Sequence, residues 1–253
     1  MGFYKNETRD TEQMIYGIRP VLEALAAGKE IERIFIHKGA GSPLMQELKQ
    51  KLKDSGILYQ DVPVEKLNRL TRKNHQDVVC FLSPITYHRL GEVIPSVFEN
   101  GESPFILLLD HITDVRNFGA IARTAECAGV HAIVIPARGA AQINSDAIRT
   151  SAGALNNVPV CRERSLEEAV QFLCDSGLQA VAVTEKGNKA PGDVDFRNPS
   201  VLVMGSEETG ISSALLKMCD VKMKIPMAGR TQSLNVSVAC GIALFEGVKQ
   251  RLS

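Results

Sequence analysis

Long apolar runs are missing from this sequence: no uninterrupted stretch approaches the ~20 residues that a membrane-crossing helix needs. Residues 1–13, MGFYKNETRDTEQ, are polar and lack the apolar stretch of a signal peptide, so they are expected to form a flexible N-terminus on a soluble, cytoplasmic protein. Net charge is missing too, because 29 Lys and Arg balance 29 Asp and Glu and neither half of the chain is basic. That excludes a highly basic nucleic-acid coat but leaves room for a local patch. None of the six cysteines forms a C-x-x-C pair and none of the five histidines an H-E-x-x-H, so no metal site is expected. Isolated cysteines in apolar segments, such as Cys127 and Cys240, read as reduced core residues of a reducing compartment. The G-x-G-x-x-G turn of a dinucleotide enzyme and the G-x-S-x-G elbow of a hydrolase are likewise absent.

What is present is an ordinary globular balance, 44% hydrophobic and 23% charged over 253 residues, enough for one large domain or two modest ones. Residues 14–83 alternate helical and strand patterns (IRPVLEALAAG, IERIFIH, LMQELKQKLKDSG, ILYQDVP, VEKLNRLTR, DVVCFLSP) and predict a small α/β domain. Residues 84–103, of mixed character with two prolines, are expected to be a linker. From 104 to 253 the short runs FILLLD, AIVIP, QAVAV, SVLVM and VKMKIP read as strands, mostly of a parallel sheet buried on both faces, with helices between them. The chain is therefore expected to be α/β, with a mostly parallel sheet flanked by helices.

A sheet of this kind binds ligands beyond the C-terminal ends of its strands. In the loop and helix after FILLLD, Asp114 is placed to cap and Gly129 to stop the helix. Its buried face is Phe118, Ile121, Ala122 and Ala125, while Arg116 and Arg123, seven apart, share the outer face. Arg123 alone reads either as a solvated arginine or as a site residue. The loop MGSEETG brackets Glu207 with glycines but has Ile211 where a phosphate loop needs lysine, which excludes that motif. It reads as an ordinary turn or as close backbone approach to a flat ligand. Further on, Ser233, Asn235 and Ser237 open the last helix with more polar groups than one cap requires, so the excess suggests a site. In the first domain, Arg69, Arg72, Lys73, Asn74, His75 and Gln76 form either a solvated loop or a set of phosphate contacts.

Taken in order, NFGAIARTA (117–125), MGSEETG (204–210) and IPMAGRTQSLNVSVA (225–239) resemble the SpoU (TrmH-type) RNA 2′-O-ribose methyltransferases of the SPOUT superfamily. The first domain looks like the ribosomal-protein-like RNA-binding domain of the branch that methylates a guanosine of 23S ribosomal RNA; one departure is Asp77, where that branch usually carries glycine. The resemblance implies a deep C-terminal trefoil knot, a homodimer built through the knotted domain and ribosomal RNA as partner. Transfer RNA, or RNA binding without catalysis, is the alternative. It also implies S-adenosylmethionine as cofactor, held by Gly205, Ile225, Met227 and Leu234, with Thr184 a further contact. Arg123, Asn117, Glu207, Ser233 and Asn235 would be the catalytic set, with Arg123 clamping the RNA phosphate beside the reacting 2′-hydroxyl. Arg116 would join Arg69, Arg72, Lys73, His75 and Gln76 in binding RNA.

Overall fold

The computed structural model describes residues 14–231 and 233–253, so the expected flexible segment 1–13 lies outside the described residues. The described chain divides into two compact units, one of residues 14–86 with 143–145 and one of 87–142 with 146–253.

The first unit holds strands β1 (Met14–Tyr16), β2 (Ile31–His37), β3 (Gln60–Val62) and β4 (Val78–Leu82), with helices α1 (Ile18–Ala26), α2 (Pro43–Asp54) and α3 (Val64–Leu70) between them. The sheet order is β1-β4-β2-β3, with β4 antiparallel to both neighbours and β2 parallel to β3. Strand period two divides the side chains between two cores. Ile34 and Ile36 pack with Met45, Leu48 and Leu52 of α2 and Val21 of α1, while Phe35 packs with Val62, Leu67 and Val79 on the other face. Strand β1, three residues ahead of Gly17, adds to the elements expected from sequence because it is too short to show a period.

The second unit contains β5 (Tyr87–His88), α4 (Leu90–Glu99), β6 (Phe105–Asp110), α5 (Val115–Cys127), β7 (Ala132–Pro136), α6 (Ser145–Thr150), β8 (Val160–Glu163), α7 (Leu166–Asp175), β9 (Gln179–Val183), β10 (Ser200–Gly205), α8 (Ser213–Met218), β11 (Val221–Met223) and α9 (Val236–Arg251). Its seven strands, in the order β11-β9-β10-β6-β7-β8-β5, are all parallel. Every residue of β6 and β7 is buried, as double-sided burial requires. The segment expected as a linker instead carries β5 and α4. Leu90, Ile94 and Val97 recur at helical spacing and are buried despite Pro95 inside the helix. Cys127 also departs from its core assignment: it is exposed, two residues and so about 200° around α5 from buried Ala125. All six cysteines are free. Among the described residues no helix is long and apolar enough to cross a membrane.

Candidate active site

The loops after β9, β10 and β11 and the start of α9 enclose a cavity of about 670 Å³. Thr184, Gly205, Ile225, Met227 and Leu234 all line it, as do Glu207 and Ser233. Its volume falls in the usual range for a small-molecule site, and its walls mix apolar side chains with backbone. A Cβ on Gly205 would lie 2.1 Å from the carbonyl carbon of Gly210 and 2.2 Å from the nitrogen of Ile211. Only glycine therefore lets the loop 205–211 fold back so tightly at the cavity wall. An adenine-bearing ligand with a short polar tail suits these walls, so the residues present fit S-adenosylmethionine.

Around this cavity three distant segments meet on one carboxylate oxygen. Asn117 Nδ2 donates to Glu207 Oε1 at 3.2 Å, Asn235 Nδ2 donates to the same oxygen at 2.7 Å, and the backbone N–H of Val236 donates to it at 3.0 Å. Asn235 Nδ2 also lies 3.0 Å from Asn117 Oδ1. The Val236 N–H belongs to the first turn of α9, so Glu207 places its negative charge where helix ends favour it. Local sequence prepares each arm. Asp114 caps α5 by accepting from the Asn117 N–H at 2.7 Å, which fixes the helix start that carries the Asn117 side chain. Asn235 caps α9 with its Oδ1, accepting from Ser237 N at 3.0 Å, and so serves cap and network with opposite ends of one amide. Cap and site are alternatives for Asn235 in the sequence; the structure shows the cap and, from the other end of the same amide, the bond to Glu207.

Arg123 stands apart from this network. It is exposed on the outer face of α5, as is Arg116, and neither makes an ion pair or hydrogen bond with a described residue. Six residues separate it from Asn117, about 9 Å along the helix. Arg116 and Arg123 do not line the cavity.

Asp110 has a structural role that sequence reading missed. It closes β6 beside Gly205 of β10 and is 1% exposed. Its Oδ2 accepts from the Ser212 N–H at 2.7 Å, tying the end of the cavity loop to β6, and its Oδ1 is hydrogen-bonded to His111 Nδ1. His111 has φ 58° and packs against Gly139. A signal was available, since a carboxylate at the end of an otherwise apolar strand must find donors.

In the first unit the polar loop 71–77 is tightly built. Gln76 Oε1 accepts from the Ile18 N–H at 3.2 Å and so satisfies the start of α1. His75 accepts from the Asp77 N–H through Nδ1 at 3.1 Å and lies 3.0 Å from Asn68 Oδ1 through Nε2. Both side chains are thus engaged in holding the loop, whereas Arg69 and Arg72 are exposed with no described ion partner and Lys73 Nζ lies 5.6 Å from the Tyr16 ring centre. Gln76 and Asp77 both have positive φ, 46° and 64°. Asp77 therefore occupies a backbone position that favours glycine, and its carboxylate lies 3.3 Å from His37 Nδ1. Among the described residues no group of His, Cys, Asp and Glu could hold a metal ion.

The chain is similar to known proteins over nearly its whole length. Residues 104–245 match the model of the SpoU rRNA methylase family, and residues 14–88 match that of the RNA 2′-O ribose methyltransferase substrate-binding domain. A protein of Mycolicibacterium vanbaalenii named as an uncharacterized tRNA/rRNA methyltransferase is 36% identical, over 98% of this chain and 79% of its own length. A TrmH family tRNA/rRNA methyltransferase of Bacillus subtilis is 33% identical, over 94% of this chain and 95% of its own. Among solved structures, an AdoMet-bound rRNA methyltransferase from Sinorhizobium meliloti is similar with a TM-score of 0.62 and 28% identity, covering 98% of this chain and 92% of that one. With family models matching residues 14–88 and 104–245 and relatives of 33–36% identity along nearly the whole chain, the chain belongs to the SpoU family of S-adenosylmethionine-dependent RNA methyltransferases.

Proposed function

We propose that the protein methylates a ribose 2′-hydroxyl of ribosomal RNA, at a guanosine of the 23S molecule, in the cytoplasm. The observation that carries this reading is the meeting of Asn117, Glu207 and Asn235 beside a cavity walled by Gly205. When bound, S-adenosylmethionine supplies an electrophilic methyl carbon. What remains for the chain is to hold the ribose oxygen in line with that carbon and to give its proton somewhere to go. Gly205, Ile225, Met227 and Leu234 hold the cofactor, with Thr184 a further contact. Ser233, on the cavity lining, contacts the reacting nucleotide, while Glu207 and Asn235 keep the loop and the α9 start in place around it. Arginine stays protonated at neutral pH, so Arg123 is not the base. It clamps the phosphate next to the reacting ribose in a two-pronged contact, and that phosphate helps to accept the hydroxyl proton.

Two further parts belong to the same proposal. The chain leaving β10 crosses β9 to reach β11 and then returns to lay α9 against α5 and β10, and this path supports a trefoil knot in the C-terminal part. Helix α9 is apolar on both sides. Cys240, Ala243 and Leu244 are buried, while Val238, Ile242 and Phe245 are 50%, 42% and 50% exposed along one stripe. A second copy of the chain covers that stripe in a homodimer. In the first domain, residues 14–83, Arg69, Arg72 and Lys73 contact RNA phosphates, with His75 and Gln76 shaping their loop and Arg116 serving from the second unit.

The test is to incubate the protein and S-adenosylmethionine with unmodified large-subunit ribosomal RNA or bulk transfer RNA, then digest to nucleosides for mass spectrometry. The expected product is 2′-O-methylguanosine on ribosomal RNA alone, reduced at least a hundredfold by Arg123→Ala. Product on transfer RNA alone would replace the substrate, and cofactor binding without product on either RNA would leave an RNA-binding protein without chemistry.

A further inference from the structure

Beyond the cavity, the outer edge of the second unit's sheet gathers lysines from two separate segments. Strand β11 pairs with β9 on one side only. On its other side the segment 187–189 closes down: the N–H groups of Asn188 and Lys189 donate to Lys222 O at 3.1 and 3.3 Å, and Lys224 N–H donates to Lys189 O at 2.8 Å. Gly187 makes this approach possible, because a Cβ there would lie 2.6 Å from the backbone carbon of Met223. As a result Lys186, Lys189, Lys222 and Lys224 are brought together, all exposed and none ion-paired with a described residue. Lys222 lies in β11 and Lys224 directly follows its end, and both are hydrogen-bonded through their backbones to the 187–189 segment. Lys224 also lines the cavity, as does Arg230, which is likewise exposed and unpaired among the described residues. The nearby carboxylates make no ion pair with these lysines: Glu185 is hydrogen-bonded to Thr184 Oγ1, and Asp220 Oδ2 accepts from the Ala180 N–H.

Lysine on an edge strand often serves only to prevent sheets from pairing edge to edge. Here the edge is already hydrogen-bonded to the 187–189 segment, so that task is largely met without four ammonium groups. In a chain with no net charge, a row of free lysines that runs to the mouth of the cavity is built for a polyanion entering it. We propose that Lys186, Lys189 and Lys222 form a track for the RNA phosphodiester backbone flanking the target nucleotide, continued into the site by Lys224 and Arg230. This rests on the RNA methyltransferase reading and assigns the second unit its own share of RNA affinity.

The test uses the full chain with the triple substitution Lys186→Ala, Lys189→Ala and Lys222→Ala, none of which lines the cavity. Binding to a large-subunit ribosomal RNA transcript is measured by filter retention at 50, 100 and 200 mM KCl, and S-adenosylmethionine binding by calorimetry. Cofactor affinity is expected to stay at the wild-type value. RNA affinity should fall at least tenfold at 100 mM KCl. The slope of log affinity against log salt should shrink by about 2, at roughly 0.7 for each single-strand phosphate that the chain no longer neutralises. The corresponding triple arginine variant should restore both. Wild-type RNA affinity and slope in the alanine variant overturn the track and leave the lysines as edge guards, and so does a deficit that arginine does not restore. Absence of methyl transfer by the wild-type chain on any RNA overturns the underlying reading instead, which the transfer assay registers separately.

Discussion

Asp77 shows how one residue records a local backbone demand. With φ 64° it sits in the left-handed region, where a side chain other than glycine costs up to roughly 1–2 kcal/mol and aspartate is among the better tolerated. Its partial offset is the 3.3 Å approach to His37, which is half-exposed and so contributes about 0–1 kcal/mol. Asp77→Gly is therefore expected to hold or raise stability by up to about 1 kcal/mol, and Asp77→Val to lower it by about 1–2 kcal/mol, since a β-branched residue is least at ease there. Urea denaturation of the two variants checks this, and equal midpoints would remove backbone conformation as the cause. The departure at Asp77 is visible in the sequence, but the positive φ that gives it meaning is not. Neither is the use of Gln76, because its contact with Ile18 spans 58 residues.

At the level of elements, legibility follows burial. Strands β6, β7, β9 and β10 stand out as apolar runs because both their faces are covered, and α5, α7 and α9 carry caps at Asp114, Ser165 and Asn235. Strand β8, of which only Val160 and Cys161 are buried, and two-residue β5 offer no period to read. The three motifs around the cavity are legible one by one. That Asn117 and Asn235, 118 residues apart, touch is not, because nothing in local pattern encodes which loops meet. Helix α9 carries the clearest prediction at this scale. Ile242→Glu puts a charge in the middle of its exposed apolar stripe without touching the buried face. Sedimentation should show the wild-type chain as a dimer and this variant as a monomer of unchanged helix content. A variant that remains dimeric would move the interface off this helix.

For the molecule as a whole, the buried thiols set a ceiling on alkaline tolerance. Burial pushes Cys80, Cys161, Cys219 and Cys240 up to about 12 from an ordinary 9.0. The folded chain keeps these protons while the unfolded chain gives them up. Their contribution is thus fully present below about pH 9 and is lost as pH rises from 9 toward 12, by up to about 1.4 kcal/mol per pH unit for each thiol. Denaturation midpoints at pH 8 and pH 10 should differ less in Cys240→Ala than in the wild type; identical pH slopes would exclude this thiol as a contributor. The shared oxygen of Glu207 has a consequence in time as well as in space. Its donors come from Asn117, Asn235 and Val236, so a ribosome that has made the first two hundred or so residues has made the carboxylate's first partner and neither of the others. A growing chain therefore leaves this carboxylate short of two of its three donors until the start of α9 has been made.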